Sequence, residues 1–316
     1  LEAGWKYKSN INFIRYCKDS EERNQIKEFC QELKRLCNFK QEQIPNIDKS
    51  STYELYNQAV LDHQNLLDVL WFLSVDIKRW LEGVRDLSNR DANTLSDEII
   101  IFYKDLIKVI NAIDNRLELR GRDSFGISIV INSNQFSGRE DNSHPFDTEN
   151  ESCHYYQHKK HGSYSFIFKT CNSIGALGEN AAYVKNMIAK NSFFKSLVES
   201  YVIESSTIMA HTRWASVGKV TLENAHPINY ISEPKNKNSL KTISMLNGDI
   251  YNYREIIEFA KKDKKLSIDD SQCTTDCLAI PVSFLDEEAL TNQSVAKISS
   301  SYTGSFVISI QHSSET

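Results

Sequence analysis

The stretch that decides the fold is His211-Thr212-Arg213-Trp214-Ala215-Ser216-Val217-Gly218. It brings an aromatic ring, a guanidinium, hydroxyls and a closing glycine together within eight residues. The stretch directly follows Thr207-Ile208-Met209-Ala210, a mostly apolar run that favours a β-strand. Polar and aromatic side chains in a loop that a strand positions are typical of a binding site. The pattern therefore predicts a strand that runs into a binding loop.

Composition and charge argue against several classes of protein. The chain has 316 residues, of which 40% are hydrophobic and 25% are charged, as expected for one large globular domain or two smaller ones. Its net charge is −5 and its lysines and arginines are scattered among acids, which argues against a nucleic-acid partner. No stretch of about 18 consecutive apolar residues is present, so the sequence predicts no membrane span.

The cysteines favour a reducing compartment. The chain has seven of them, an odd number, and they lack a paired C-x-x-C pattern, which suits the cytoplasm better than a disulfide scaffold. We therefore expect a cytoplasmic protein. Because the chain opens with Leu1, has no basic-then-apolar leader and ends shortly after a strand, we also expect a fragment or a processed product.

Helical periodicity dominates the first third of the chain. Apolar residues at steps of three and four predict a seam between packed helices, for which a helix-bundle core is favoured over a cofactor or partner site. An apolar patch indicates a first strand within residues 1–17; residues 18–96 are predicted to be a helical insertion, and residues 97–316 the rest of the main domain. The patch is Ile11, Phe13 and Ile14, and the seam is Leu66, Leu70, Leu73, Ile77, Trp80, Val84 and Leu87.

Beyond residue 120 the pattern changes to strands. Alternating and continuous apolar runs predict a buried hairpin and shorter strands, with helices between them. Polar residues at 133–162 predict a mobile surface loop. The predicted strands are 126–131, 164–168, 207–210, 241–246 and 304–310, and the predicted helices are 178–202, 253–262 and one starting near 275.

Six segments, in order along the chain, resemble motifs of the class II glutamine amidotransferases. One such motif would be weak, but six in the family's order are specific. Trp214 and the Asn-Ala-His-Pro segment resemble most closely the glutaminase domain of glucosamine-6-phosphate synthase (glutamine–fructose-6-phosphate aminotransferase). The segments are Leu117–Ile127 (the R-G-x-D-S-x-G-I motif), His211–Gly218 (H-T-R-W-A-T-x-G), Asn224–Pro227 (N-A-H-P), Asn247-Gly248, Thr275-Asp276 and Gly304–Phe306.

The resemblance implies an α+β fold of the N-terminal-nucleophile hydrolase type, an αββα sandwich of antiparallel sheets, here with a helical insertion. It also implies hydrolysis of glutamine to glutamate and ammonia. Arg213 would hold the α-carboxylate of glutamine and Asp276 its α-ammonium. Asn247 and Gly248 would stabilise the oxyanion. Trp214 would wall the pocket, Ser216 stands where the family has Thr, and the supporting residues would be Arg120, Asp123 and His211.

Ammonia in such enzymes passes to a sugar phosphate such as fructose 6-phosphate. The resemblance therefore implies a sugar-isomerase module, either in cis beyond Thr316 or in trans as a separate subunit. The family's nucleophile is a mature N-terminal cysteine. This chain begins with Leu1, and Cys17, Cys30 or Cys37 would serve only if the chain were cut before them.

Two alternatives stay open beside the enzyme. Val217 and Leu246 stand where the family has His, and Cys277-Leu278 stands where it has Thr-Glu. These departures favour a degenerate, non-catalytic glutaminase fold with a ligand-binding, regulatory or partner-binding role. The other alternative is an interaction protein that forms a homo-oligomer through the seam.

Metal and phosphate-loop chemistry are not expected. Cys153, His154, His158 and His161 share one polar loop, but their spacing matches no zinc pattern with four ligands. Gly218-Lys219 lacks the upstream glycine and the following Ser or Thr of a phosphate-binding loop. The sequence therefore predicts neither a metal nor a cofactor.

Overall fold

The described part of the chain combines α-helices with two antiparallel β-sheets, which is compatible with the predicted α+β class. A computed structural model describes residues 2–46, 53–117, 119, 121–137, 152–158, 162–229, 242–263, 273–287 and 289–312. The chain divides into two compact units, Leu1–Lys108 and Val109–Thr316. Among the described residues, none of the helices has the length and apolar character needed to cross a bilayer.

The division between the units lies within a continuous helix, whereas the sequence suggested a division between residues 96 and 97. Helix α6, Asp97–Ala112, runs through both sides of the boundary at Lys108. Because its apolar periodicity is unbroken there, the sequence carries no signal at the boundary. The first unit contains α1 (Glu2–Trp5), α2 (Asn10–Lys18), α3 (Ser20–Gln43), α4 (Tyr53–Trp71) and α5 (Ile77–Ser88), with a π-helical turn, Phe72–Asp76, between the last two.

The predicted first strand within residues 1–17 is wrong, because this region is helical. The Ser9 hydroxyl caps α2 by accepting from the Asn12 N–H. Phe13 and Cys17, one helical turn apart, are buried, whereas Ile11 is exposed. A short apolar patch fits the period of a helix as well as that of a strand, so the residues alone did not decide between them. Residues 18–96 therefore do not follow a strand of the sheet-containing unit.

The helical seam is confirmed as core. Leu73 is 3% exposed, and Ile77, Val84 and Leu87 are completely buried within the first unit. These four side chains are therefore closed off from solvent. Leu70 and Trp80 of the seam are half-buried, and a homo-oligomer formed through the seam stays a prediction.

The second unit holds both sheets. In the first sheet the strand order is β2-β3-β1-β4, and in the second it is β5-β6-β7. The strands are β1 (Ser124–Asn132), β2 (Cys153–His158), β3 (Ser163–Thr170), β4 (Ser205–Arg213), β5 (Ile228–Asn229), β6 (Thr242–Ile250) and β7 (Gly304–His312). The helices are α7 (Glu179–Lys190), α8 (Ser192–Ser200), α9 (Tyr253–Asp263), α10 (Ala279–Ser283) and α11 (Asn292–Ser299).

The predicted strands are present within the described residues, and β1 pairs with β3 in the predicted antiparallel manner. The two do not form a simple hairpin, because β2 lies between them along the chain. The predicted loop at 133–162 is wrong at residues 153–158, where β2 extends the first sheet. The polar composition of this segment predicts a loop, although Cys153 and Tyr156 are buried in the strand. Residues 138–151 and 159–161 lie outside the described residues. The helix predicted at 178–202 is two helices, because the Asn191 side chain starts a new one by accepting from the Phe194 N–H.

Both sheets contribute to the core of the second unit. β3 is buried along its whole length, and its Phe166 and Phe168 stack on each other beneath Phe194 of α8. Ile167 of the first sheet packs with Ile243 of the second. Because the two sheets meet through these side chains, the ends of β4 and β6 are held at fixed positions.

Candidate functional site

A cavity of about 460 Å³ lies where β4 and β6 end. This volume is within the range of sites that hold small molecules. The residues that line the cavity come from motifs that are far apart along the chain. Of the predicted site residues, His211, Arg213, Trp214, Ser216, Asn247, Gly248 and Asp276 line it. Asp123 does not line it, and Arg120 lies outside the described residues.

Arg213 ends β4 and is only 4% exposed. Its guanidinium donates from one terminal nitrogen to the Lys219 carbonyl at 3.1 Å, and from the other to the Val217 carbonyl. Arg213 therefore closes the loop that follows it, while also lining the cavity. Burial lowers the pKa of Arg213, an effect opposed by the carboxylates of Asp123 and Asp276. An arginine stays protonated under such conditions, so the cavity contains a buried cation.

The loop itself is anchored by Asp123. The Asp123 carboxylate accepts from the Ala215 N–H at 2.7 Å. Trp214, which lies between Arg213 and Ala215, is 74% exposed. Asp123 is therefore a support for the loop, and Trp214 lies on the rim of the cavity instead of forming a buried wall.

Asp276 places a buried carboxylate on the cavity. It begins a 3-10 turn, Asp276–Leu278, and is 4% exposed. One oxygen accepts from the Ile250 N–H at 2.8 Å and the other from the Thr275 hydroxyl at 3.1 Å. Burial raises the pKa of the Asp276 carboxyl; these hydrogen bonds lower it, and the Asp249 charge raises it further.

Asn247 and Gly248 are exposed to the cavity near the end of β6. Gly248 has a φ of +113°, and a Cβ placed on it would lie 2.1 Å from the Ser305 carbonyl oxygen of the paired strand. Only glycine fits this backbone and this approach. The pair is therefore part of a strand, and its glycine is fixed by the pairing with β7.

Asp249, His226 and Thr275 are among the cavity residues that were not predicted as site residues from the sequence. Asp249 directly follows the Asn-Gly pair and accepts from the Ser216 hydroxyl at 2.7 Å. Its one sequence signal is a charged side chain in a strand whose preceding residues are mostly buried. His226 lies in the Asn-Ala-His-Pro motif, but that motif does not indicate that the histidine reaches the cavity.

Two histidines lie against each other at the cavity. The ring centres of His211 and His226 are 4.4 Å apart. Burial lowers the pKa of His211 to about 4, and it lowers that of His226 well below its usual value. Both imidazoles are therefore neutral near pH 7. His211 Nδ1 and His226 Nε2 are buried without a hydrogen-bond partner among the described residues.

A close backbone approach fixes the position of His226. A Cβ placed on Gly126 would lie 2.0 Å from the His226 carbonyl oxygen. The Gly126 position on β1 is directly opposite His211 on β4. The glycine of the D-S-x-G-I segment therefore lets the His226 backbone reach the sheet beside His211.

Among the described residues, no cysteine lines this cavity. Cys17 and Cys37 are buried in the first unit. Cys277 is completely buried beside Ser244, and burial raises its pKa. Cys273 lines a separate, neighbouring cavity, and burial raises its pKa as well.

The polar loop considered for a metal is engaged in other contacts. Cys153 accepts from the Asn191 side chain, and His158 Nε2 lies 2.9 Å from the Ser165 hydroxyl. His161 lies outside the described residues. Within the described ranges, no group of three or more His, Cys, Asp and Glu side chains is arranged to hold a metal ion.

Comparison with known proteins gives only weak structural likeness. No protein-family model and no curated protein matches this chain. Among solved structures, the chain is similar to a glutamine phosphoribosylpyrophosphate amidotransferase from B. subtilis complexed with ADP and GMP. The identity is 16% and the TM-score 0.34 over 62% of this chain, and the chain covers 30% of that protein. Because this likeness is weak, the function has to be inferred from the chemistry of the cavity.

Proposed function

We propose that the second unit is a glutamine amidotransferase domain of the N-terminal-nucleophile hydrolase type, with an αββα sandwich, which hydrolyses glutamine to glutamate and ammonia. The observation that carries this proposal is one cavity that holds Arg213, Asp276, Asn247 and Gly248, which come from three separate motifs. Neighbouring folds can share a shape without sharing a function, so the proposal depends on these side chains.

Glutamine presents three groups that match the cavity. Arg213 is the one cation among the described lining residues and suits the α-carboxylate. Asp276 is a buried carboxylate and suits the α-ammonium. The side-chain carboxamide would then lie toward Asn247 and Gly248, which are exposed to the cavity.

The proposed reaction needs a thiolate. Its sulfur would attack the carboxamide carbon, and the Asn247 side chain and the Gly248 N–H would stabilise the resulting oxyanion. The amide nitrogen then gains a proton, the C–N bond breaks, and ammonia leaves a thioester behind. Water then hydrolyses the thioester to glutamate. The family resemblance assigns this thiol to a mature N-terminal cysteine. The acceptor of the ammonia would be a sugar phosphate such as fructose 6-phosphate, on an isomerase module in cis or in trans.

A second candidate function is glutamine binding without catalysis, in a regulatory or partner-binding role. It is favoured by the absence of a cysteine among the described residues that line the cavity. Val217 and Leu246, which replace family histidines, are both lining residues. Both candidates predict glutamine binding, and they differ in turnover.

The experiment uses the chain with its native N-terminus, identified by mass spectrometry of the intact protein. Calorimetry measures glutamine binding, and an enzymatic assay measures glutamate release at millimolar glutamine. Arg213→Lys is expected to raise the glutamine Kd about tenfold. Arg122→Lys, an exposed arginine outside the cavity, is the matched control and should bind like the wild type.

The outcomes separate the candidates. Binding with glutamate release supports the enzyme. Binding without release supports the non-catalytic domain. A wild-type chain that binds no glutamine contradicts both.

A further inference from the structure

We propose that Asp249 is a second carboxylate of the ammonium subsite, so that the cavity selects ligands that carry an ammonium group. The inference rests on the proposed function, because it takes the bound amino acid to be glutamine. It adds a specificity-determining residue that the family motifs do not supply.

The backbone brings the two carboxylates to the same place. Asp249 immediately precedes Ile250 on β6, and the Ile250 N–H holds the Asp276 carboxylate at 2.8 Å. Both side chains line the cavity, and the charge of Asp249 acts on Asp276. An ammonium group has three donors, so it can be shared by two such acceptors.

Ser216 fixes the direction of Asp249. The Ser216 hydroxyl donates to Asp249 Oδ1 at 2.7 Å, and Asp249 is half-buried. None of the described residues donates a hydrogen bond to the other oxygen, Oδ2. An ionised carboxylate has acceptor capacity on both oxygens, so Oδ2 stays available to a ligand.

The charge balance of the cavity favours a cation. Its charged lining residues, within the part of the chain that the structure describes, are Arg213, Asp249 and Asp276. Arg213 already donates to two carbonyls of its own loop. With both carboxylates ionised, the cavity has one more negative charge than positive charges, and a ligand ammonium relieves their mutual repulsion.

The test compares two ligands that differ in one group. Glutaramic acid is glutamine without its α-amino group, so it keeps the carboxylate and the carboxamide. Calorimetry measures the Kd of both ligands for the wild type, for Asp249→Asn and for Asp263→Asn. Asp263 is an exposed residue at the end of α9, outside the cavity, and its replacement removes the same charge.

Asp249→Asn is expected to raise the Kd of glutamine by on the order of tenfold or more, the usual effect of losing a charge-assisted hydrogen bond. The Kd of glutaramic acid is expected to stay unchanged or to fall, because it has no ammonium and the variant removes a repelling charge. The control variant should bind both ligands like the wild type. Ser216→Ala, which retains the Asp249 charge, should keep the preference for glutamine.

Two results overturn the inference while glutamine binding to the wild type stands. One is unchanged glutamine affinity in Asp249→Asn. The other is an equal loss for both ligands, which would indicate a structural role. Failure of the wild type to bind glutamine overturns the proposed function first, and the inference falls with it.

Discussion

Lowering the pH from 7 to 5 is expected to destabilise the second unit through the two histidines at the cavity, His211 and His226. The pKa of His211 is about 4 in the folded chain, because burial disfavours the charged imidazole. In the unfolded chain a histidine has a pKa near 6.5. Below that pH the unfolded state binds a proton that the folded state does not bind. The free energy of unfolding therefore falls as the pH falls from about 6.5 toward 4.

The magnitude follows from these two pKa values. For a single group with pKa values of about 4 and 6.5, the free energy of unfolding falls by about 2 kcal/mol between pH 7 and pH 5. His226 acts in the same direction, since its pKa is also lowered by burial. Asp276 acts in the opposite direction, because its pKa is raised and the folded state binds its proton first. This opposing contribution grows only as the pH approaches the range in which carboxyl groups titrate.

The assay must report the unit that contains His211. Urea titrations at pH 7 and pH 5 would follow the backbone amide NMR signals of residues 125–131, in the sheet that holds His211. Between the two pH values, the wild type should lose about 2 kcal/mol more than His211→Gln. His63→Gln, in the first unit, is the matched control and should behave like the wild type. An equal loss in wild type and His211→Gln, or an imidazole titration of His211 near pH 6.5, would refute the reasoning.

Two further predictions concern packing. Gly126→Ala should destabilise the second unit by about 2 kcal/mol or more, because the added Cβ would meet the His226 carbonyl oxygen at 2.0 Å; a urea titration that shows no change would contradict this close approach. Leu73→Asp should destabilise the first unit by at least about 3 kcal/mol, since it places an unpaired charge in a side-chain position that is 3% exposed. Loss of the helical circular dichroism signal at lower urea would confirm it, whereas an unchanged midpoint would show that Leu73 is not in the core.

The sequence predicted secondary-structure elements correctly where a single hydrophobic periodicity extends over many residues. The seam from Leu66 to Leu87 follows helical steps over several turns, and it is core. The patch around Phe13 is too short to distinguish a helix from a strand, and the prediction failed there. The prediction missed β2 for another reason. The sequence from Cys153 to His158 is polar, and the place of this strand in the sheet depends on a tertiary contact, its pairing with β3.

Motif resemblance named several of the residues that line the cavity, but the geometry of the cavity was not predictable from the sequence. Whether Arg213 and Asp276 share a cavity depends on how the ends of β4 and β6 are held by the packed sheets. Asp249 was missed because it belongs to no motif and its role depends on the Ser216 hydroxyl on a different loop. The neutral state of His211 likewise depends on burial, which a sequence does not specify at one position.

The structural and ligand-binding roles of Arg213 are compatible in one conformation. A guanidinium has five N–H donors, and the bonds to the Val217 and Lys219 carbonyls use one from each terminal nitrogen. Three donors therefore remain for a ligand carboxylate without release of the loop. Because the loop is already closed onto Arg213, and Ala215 is already held by Asp123, little ordering is left for the ligand to induce. Under the proposed function, Arg213→Lys therefore weakens glutamine binding in two ways, through the lost pair of parallel N–H donors and through a loop that must be ordered upon binding.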